Sequence, residues 1–124
     1  MNAPRRILVA DDDPVIRRLL TDLLASCGYA VSTASDGRST LDAAADATFD
    51  LILLDYTLPD QTGFDVLSRL RQRPGTHGTP VLMVTGDDRE SLESRAGAPS
   101  CQGYLEKPFS GRTLLSAVRT TLAG

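Results

Sequence analysis

Cysteine is scarce in this sequence: the 124 residues include only Cys27 and Cys101. Their spacing does not match that of zinc ligands, and two thiols are too few for the disulfide framework of a small secreted protein. We therefore expect two reduced thiols in or near the core, and this expectation favours a cytoplasmic location.

Long apolar runs are also missing. The N-terminal segment leads into a short apolar run, Ile7–Ala10, which three aspartates follow at once. A signal peptide or a membrane span needs a longer uninterrupted run. We therefore expect neither, and we expect a soluble protein that does not act at a membrane.

Positive charge is present but is not concentrated. The formal net charge is −3, and twelve arginines are spread along the chain beside a single lysine, Lys107. Without a basic stripe, direct binding of nucleic acid by this domain is not expected. A chain of this length can bury a core of its own, so we expect residues 1–124 to form one domain, with no output domain in this chain.

What the sequence does contain is an alternation of two kinds of periodic segment. Short apolar or β-favouring runs predict strands at Ile7–Ala10, Ala30–Thr33, Leu51–Leu54, Val81–Val84 and Gly103–Leu105. Helical patterns predict helices at Pro14–Ser26, Arg38–Ala45, Gly63–Gln72, Arg89–Ala96 and Gly111–Leu122. Strands joined by helical crossovers pair in parallel, so the sequence predicts an α/β fold with a sheet covered on both faces.

Polar side chains follow several of the predicted strands. In a doubly wound sheet the ligand crevice lies beyond the carboxyl ends of the strands, where the winding reverses. The residues at these ends are Asp11, Asp12, Asp13, Asp55, Thr85 and Lys107. The sequence therefore predicts a site in which several carboxylates, one hydroxyl and one ammonium converge at one edge of the sheet.

Four segments of the chain resemble the motifs of response-regulator receiver domains, the CheY-like phosphoacceptor modules of two-component signalling. They are ILVADDDP, LLDYTLPDQTG, PVLMVTG and GYLEKPF. The resemblance extends from Arg6 to Leu122 and depends on four motifs in matching order and separation. It implies a three-layer (βα)5 fold of the flavodoxin-like type, with a doubly wound parallel sheet in strand order 2-1-3-4-5.

The resemblance also implies a role for individual residues. Asp55 would accept a phosphoryl group, Lys107 and the switch hydroxyl of Thr85 would contact that group, and Tyr104 would be the switch aromatic residue. A cis peptide bond is implied between Lys107 and Pro108. The implied donor is a sensor histidine kinase or a histidine phosphotransfer protein, and the implied recipient of the signal is an effector or a linked output domain. The domain would catalyse only its own phosphorylation and dephosphorylation.

A magnesium site follows from the same resemblance, with the acidic pair Asp11 and Asp12, Asp55, and the main-chain carbonyl of Thr57. Mg²⁺ prefers oxygen ligands and is typically held by one or two carboxylates together with a substrate phosphate. We therefore expect Asp12 and Asp55 as direct ligands and Asp11 as a ligand through water. Three clustered carboxylates without a cation would repel one another and bind protons more tightly.

Several of these residues also have a simpler explanation. Asp13 is expected to cap the first helix and Thr62 the third, and Asp55 could be no more than a turn residue. Lys107 is more informative, because a surface cation in such an arginine-rich chain would more often be arginine. His77 lies among glycines and prolines and is expected to be a solvated loop residue.

Other functions remain open beside the phosphoacceptor. A magnesium-dependent phosphatase that forms an aspartyl-phosphate also uses an Asp nucleophile, but it usually has a second acid two residues later, where this chain has Thr57. A receiver-like module that is never phosphorylated and acts only through interactions is the second alternative. A flavodoxin-like cofactor carrier is disfavoured, because the acidic run after the first strand would repel a phosphate.

The fourth helix departs most from the family pattern. One of the two aspartates before Arg89 is expected to cap it, and Gly97 and Pro99 would end it after about two turns. We therefore expect a short helix, Arg89–Ala96, and a mobile loop over residues 97–102. A dimer built on this face would be weak.

Overall fold

The computed structural model describes residues 3–86, 89–94 and 99–124, in which strands and helices alternate. The strands are β1 (Arg6–Ala10), β2 (Ala30–Ala34), β3 (Leu51–Asp55), β4 (Val81–Thr85) and β5 (Gly103–Glu106). The helices are α1 (Pro14–Ser26), α2 (Gly37–Asp46), α3 (Gly63–Gln72), α4 (Arg89–Glu93) and α5 (Gly111–Ala123). None of these described helices has the length and apolarity needed to cross a lipid bilayer.

The strands form one parallel sheet in the order β2-β1-β3-β4-β5. Ile7 of β1 pairs with Val31 of β2 on one side and with Leu51 of β3 on the other. The chain winds outward from β1 to β2 and then crosses back to β3, so the winding reverses between β1 and β3. The implied strand order and the predicted α/β class are both confirmed.

Two core clusters cover the two faces of the sheet, because alternate residues of a strand point to opposite sides. Leu8 belongs to the cluster that packs with α2 and α3, which includes Leu67. Ile7 belongs to the cluster that packs with α1 and α5, which includes Leu24 and Leu114. The fold therefore has three layers, and the ends of the strands form its accessible edges.

Local hydrogen bonds fix where α1 and α3 begin. The carboxylate of Asp13 accepts from the N–H of Val15 at 2.9 Å, and Pro14 occupies the first helical position. The hydroxyl of Thr62 accepts from the N–H of Asp65 at 3.2 Å, while the Asp65 carboxylate accepts from the N–H of Thr62 at 3.2 Å. Both predicted N-caps are confirmed.

The strands extend beyond the apolar runs that predicted them. Asp55 and Thr85 are the last residues of β3 and β4 and not the first residues of loops. The N–H of Tyr56 still donates to the carbonyl of Val84 at 2.8 Å, and the N–H of Lys107 donates to the carbonyl of Thr85 at 2.7 Å. The strands therefore hold both polar residues in place, whereas the sequence pattern ends one residue earlier.

The described part of α4 spans Arg89–Glu93, within the predicted range of Arg89–Ala96. The last two residues of that range, the expected cap at 87 or 88 and the expected helix end at 97 lie outside the described residues. At the far end of the predicted mobile loop, Gln102 is bonded to Val81: its N–H donates to the Val81 carbonyl at 2.9 Å, and its Oε1 accepts from the Val81 N–H at 2.7 Å. These bonds do not favour mobility at that end of the loop.

The expectation that both cysteines lie in or near the core is wrong for one of them. Cys27 is exposed, and Cys101 is half-buried. Cys27 follows the last turn of α1, and Gly28 then adopts a φ of +92°, which reverses the chain on the surface. His77 is exposed in the loop between α3 and β4, as predicted.

Candidate functional site

Three carboxylates meet at the carboxyl edge of the sheet, beside the point where the winding reverses. Asp11 and Asp12 follow β1, and Asp55 ends β3. One oxygen from each of these three groups lies within 4.8 Å of the others. Asp11 and Asp55 are buried and Asp12 is exposed, so the acidic cluster is accessible from the side of Asp12.

Hydrogen bonds hold the loop that carries Asp11 and Asp12. The N–H of Asp11 donates to the carbonyl of Ala34 at 3.1 Å, and the Asp11 Oδ1 accepts from the N–H of Asp13 at 2.9 Å. In addition, Nη1 of Arg17 donates to the main-chain carbonyl of Asp11 at 2.8 Å. The sequence analysis missed Arg17, because nothing in the helical pattern of α1 indicates that its guanidinium returns to this loop.

Lys107 brings positive charge to the acidic cluster. Its Nζ lies 3.1 Å from Oδ2 of Asp55 and 3.7 Å from Oδ2 of Asp11. The peptide bond between Lys107 and Pro108 is cis, as the resemblance implied. One ammonium therefore faces three carboxylates, and the cluster keeps an excess of negative charge.

The surroundings shift the pKa of two of these groups. Burial raises the pKa of Asp11; the hydrogen bond from the Asp13 N–H opposes this shift, and the charge of Asp55 reinforces it. Burial alone would lower the pKa of Lys107, but the carboxylates, led by that of Asp55, outweigh burial and raise it. In both cases the crowding of negative charge favours the bound proton.

The loop from β3 to α3 orients the carboxylate of Asp55. The N–H of Thr57 donates to Oδ1 of Asp55 at 3.0 Å, while Lys107 donates to Oδ2. Thr57 also pairs with Thr62 in an isolated antiparallel bridge that closes the loop. Each oxygen of Asp55 thus has a fixed donor.

Gly63 lets α3 start directly against the end of β3. Its N–H donates to the carbonyl of Tyr56 at 2.6 Å. A Cβ at Gly63 would lie 2.8 Å from the carbonyl oxygen of Asp55 and 2.9 Å from Cα of Tyr56. Both are main-chain atoms that cannot turn aside, so this close approach requires glycine.

Thr85 and Tyr104 lie on the same side of the sheet. Thr85 is buried at the end of β4, two residues after Met83, and Met83 pairs with Tyr104 of β5. Residues two positions apart in a strand share a face, so Thr85 follows Met83 and Tyr104 toward the carboxyl edge. Tyr104 is half-buried against the core cluster that packs with α2 and α3. The structure therefore brings Thr85 to the edge that carries the acidic cluster and leaves Tyr104 further back along the same face.

The acidic cluster offers only oxygen donors. Its members are Asp11, Asp12 and Asp55, and among the described residues no histidine or cysteine belongs to it. Carboxylate and carbonyl oxygens are the ligands that Mg²⁺ prefers, whereas zinc sites in proteins usually include nitrogen or sulfur. The donor set and the excess negative charge therefore fit a magnesium ion.

Residues 7–119 match the family model of the response regulator receiver domain. Because this match covers most of the chain, the protein belongs to that family: it is a receiver domain of a two-component response regulator, a signalling module and not a classical enzyme. Receiver domains bind Mg²⁺ at an acidic pocket, which agrees with the cluster described above.

Individual relatives agree with this assignment. The transcriptional regulatory protein CpxR of Escherichia coli K12 is 39% identical over 117 residues, which are 94% of this chain and 49% of CpxR. The structure of the chemotaxis protein CheY4 of Vibrio cholerae matches with a TM-score of 0.90 and 34% identity, over 96% of this chain and 99% of that one. The response regulator TrrA of Thermotoga maritima, in complex with Mg²⁺ and BeF, matches with a TM-score of 0.81 and 30% identity, over 94% of this chain and 98% of that one. This chain thus spans about half the length of CpxR and nearly all of the two solved structures.

Proposed function

We propose that Asp55 accepts a phosphoryl group from a phosphohistidine in a reaction that requires Mg²⁺. The observation that carries the proposal is the position of Asp55 at the end of β3: it lies within the acidic cluster, and its Oδ2 is 3.1 Å from Nζ of Lys107. Phosphoryl transfer spreads negative charge over three equatorial oxygens, so a site needs positive charge placed in advance. The ammonium of Lys107 supplies part of that charge.

Asp12, Asp55 and the carbonyl of Thr57 would hold Mg²⁺ directly, and Asp11 would hold it through water. When bound, the ion neutralises charge on the phosphoryl oxygens. The fixed donors on Asp55 then matter for attack: the N–H of Thr57 and the ammonium of Lys107 keep the carboxylate in one orientation. A carboxylate oxygen attacks phosphorus, the nitrogen to phosphorus bond breaks, and its electron pair returns to the donor imidazole.

After transfer, the roles of Thr85 and Lys107 concern the phosphoryl oxygens. The hydroxyl of Thr85 donates to one of them and Lys107 pairs with another. Phosphorylation thus creates charge-assisted hydrogen bonds that the unmodified protein cannot form. Thr85 moves toward the site, and Tyr104 packs into the space that Thr85 vacates. Their position on one face of the sheet supports this coupling, because a movement of Thr85 at the edge changes the space available to Tyr104 further inward.

The exposed side of α1 supports a protein as the phosphoryl donor. Val15 and Leu19 are exposed to 65% and 60%, and they are the large hydrophobic residues that stand out on the described surface. A groove lined mainly by apolar side chains of α1 continues from Leu19 to Phe109 and reaches Lys107 at the site. We place the docking surface of a histidine kinase or phosphotransfer protein here, since the donor must bring its phosphohistidine to Asp55.

Residues 1–124 are proposed to form one receiver unit. CpxR is about twice as long as the stretch that this chain matches, whereas CheY4 is covered almost completely. The signal would therefore pass either to a separate effector or to a linked output domain, as in a transcriptional regulator. Cytoplasmic action is part of the same proposal, because sensor kinases phosphorylate their regulators there.

Labelling with acetyl phosphate and Mg²⁺ tests the chemistry. We expect one acid-stable, hydroxylamine-labile phosphoryl group by intact mass on the wild type, none at that site on Asp55→Asn, and weak labelling of Asp12→Ala even at high Mg²⁺. Full labelling of Asp55→Asn would overturn the assignment. Sustained release of phosphate from many small phosphoesters would favour a phosphatase, and a wild type that never labels would favour an interaction module.

A second experiment tests the donor surface. Leu19→Ala should slow transfer from a histidine phosphotransfer protein about fivefold, while labelling by acetyl phosphate stays unchanged, because the small donor needs no docking surface. Leu122→Ala at the end of α5 is the control: Leu122 is a partly buried leucine outside this groove, and its loss should leave both rates unchanged at a temperature where the variant is folded. An equal loss of rate with both donors would show that Leu19 supports the structure of the phosphorylation site and does not contribute to docking.

A further inference from the structure

Asp60 joins the loop after β3 to the start of α2. Its Oδ1 accepts from the N–H of Gly37 at 2.7 Å, and its Oδ2 accepts from the N–H of Arg38 at 3.0 Å. Asp60 lies three residues after Thr57, in the loop that lends its main-chain carbonyl to the proposed magnesium site. The two bonds therefore connect that loop to a helix that is more than twenty residues away in sequence.

These bonds satisfy main-chain groups that α2 cannot satisfy itself. The first N–H groups of a helix have no partner within the helix. The carboxylate of Asp36, the N-cap of α2, accepts from the N–H of Ser39 at 2.7 Å. Asp60 takes the N–H groups of Gly37 and Arg38, so two carboxylates from distant parts of the chain share one helix start.

A second contact joins the loop after β3 to the start of α2. The side chain of Gln61 lies over Gly37 so closely that a Cβ on Gly37 would overlap with it. On the opposite side of the loop, Leu58 is buried in the core cluster that packs with α2 and α3. The loop is thus anchored inward by Leu58 and outward by Asp60 and Gln61, and Thr57 lies next to the inward anchor.

We propose that Asp60 is a positioning residue for the magnesium site: its bonds to α2 keep the loop, and with it the carbonyl of Thr57, where the metal needs a ligand. This inference rests on the proposed function, since it assumes that Thr57 is a ligand. Mg²⁺ demands near-ideal octahedral geometry, so a ligand on a loop that can shift is worth less than one on a fixed loop. Residues that orient metal ligands commonly change affinity about tenfold to a hundredfold when they are removed.

The hydrogen bonds also keep Asp60 charged. The N–H of Gly37 lowers the pKa of Asp60, and that of Arg38 contributes in the same direction. A carboxylate at a helix N-terminus is favoured by the helix dipole as well. A simpler role is that Asp60 merely caps α2, and the test must separate this role from the positioning of the metal site.

Titration calorimetry with MgCl₂ on the whole chain separates the two roles. We expect Asp60→Ala to raise the dissociation constant for Mg²⁺ about tenfold. Asp60→Asn keeps one acceptor oxygen, so it should restore most of the affinity. Gly37→Ala displaces the flexible side chain of Gln61 but keeps both main-chain bonds to Asp60, so it should leave the affinity unchanged.

Asp50→Ala is the matched control. Asp50 also accepts a main-chain N–H from a distant residue, that of Arg6 at 2.7 Å, but it does so at the start of β3, away from the site. Its loss should lower thermal stability and leave the dissociation constant unchanged. If Asp60→Ala and Asp50→Ala behave alike, both less stable and both with wild-type affinity, Asp60 is only a helix cap and the inference is wrong. A wild type that binds no Mg²⁺ would instead refute the proposed function, and the inference with it.

Discussion

The two edges of the sheet treat charge in opposite ways. At the amino edge, near the starts of β4 and β5, Arg71 of α3 donates to the carbonyls of Thr76, Thr79 and Ser100 and to Oε1 of Gln102, at 2.8 to 3.3 Å. At the carboxyl edge, Asp11, Asp12 and Asp55 face the single ammonium of Lys107. The amino edge thus uses a half-buried guanidinium to join loops, whereas the carboxyl edge gathers three carboxylates around one ammonium.

This difference shows which edge serves stability and which serves function. Burial lowers the pKa of Arg71, yet its main-chain acceptors hold the guanidinium in place. The carboxyl edge shows the opposite balance, because the pKa of Asp11 is raised and a cation would relieve the crowding. An arrangement that is unfavourable in isolation and improves on binding is typical of a binding site.

The largest effect is expected for Gly63→Ala, at the carboxyl edge. The new Cβ would collide with the main chain of Asp55 and Tyr56, so either α3 or the end of β3 must move. We expect a loss of about 3 kcal/mol in the free energy of unfolding, measured by urea denaturation, and little labelling by acetyl phosphate. Gly75→Ala is the control, since no atom lies within 4 Å of the Cβ it would add. A Gly63→Ala protein with wild-type stability would show that α3 and the end of β3 can move apart at little cost.

A smaller loss is expected at the amino edge for Arg71→Met, which leaves several carbonyls without their donor. We expect about 2 kcal/mol lower stability by urea denaturation, with unchanged labelling by acetyl phosphate at a temperature where the variant is folded. Arg69→Met is the matched control, because Arg69 is an exposed arginine in the same turn of α3. If Arg71→Met abolished labelling of folded protein, the proposed division between the two edges would not hold.

Substitution of Asp11 is expected to raise the stability of the protein, whereas the two substitutions above lower it. Asp11→Asn keeps an acceptor for the N–H of Asp13 but removes a buried charge whose pKa is raised. Without Mg²⁺ and at neutral pH, we expect the free energy of unfolding of the variant to be about 1 kcal/mol higher than that of the wild type. The advantage should shrink as the pH falls through the raised pKa of folded Asp11 and should be lost once the pH is below the ordinary value of 3.8, because Asp11 is then neutral in both the folded and the unfolded wild type. Added Mg²⁺ should stabilise the wild type more than the variant, and an equal response in thermal unfolding would contradict the prediction.

The smallest effect is expected for Asp60, whose pKa is lowered, whereas that of Asp11 is raised. Because the folded pKa lies below the ordinary 3.8, the charged carboxylate stabilises the fold above that pH, and this contribution is lost as the pH falls through the folded pKa. The stability difference between the wild type and Asp60→Asn should therefore be present at pH 6 and vanish in acid. Thermal unfolding across the acid range measures it, and a difference that stays constant with pH would mean that the charge of Asp60 does not matter.

Much of the fold is recorded locally in the sequence. Alternating apolar runs and helical stripes predicted five strands and five helices, and Asp13 and Thr62 announced two helix starts, because caps and periodicity depend on neighbours a few residues apart. The site residues were also visible in the sequence: Asp11, Asp12 and Asp55 each stand where an apolar run ends. Parallel strands bring such ends to one edge, so a local signal was enough to predict that these residues lie together.

Other features were decided by tertiary structure alone. The bonds of Asp60 to α2 and the acceptors of Arg71 join segments that are distant in the chain, and they depend on how α2 and α3 pack against the sheet. The exposure of Cys27 was not predicted either. A cysteine at the end of a helix can face the core or the solvent, and its residue type alone does not decide which. The physical reason is common to these cases: periodicity tells which face of an element is buried, but the relative placement of two elements determines which of their polar groups meet.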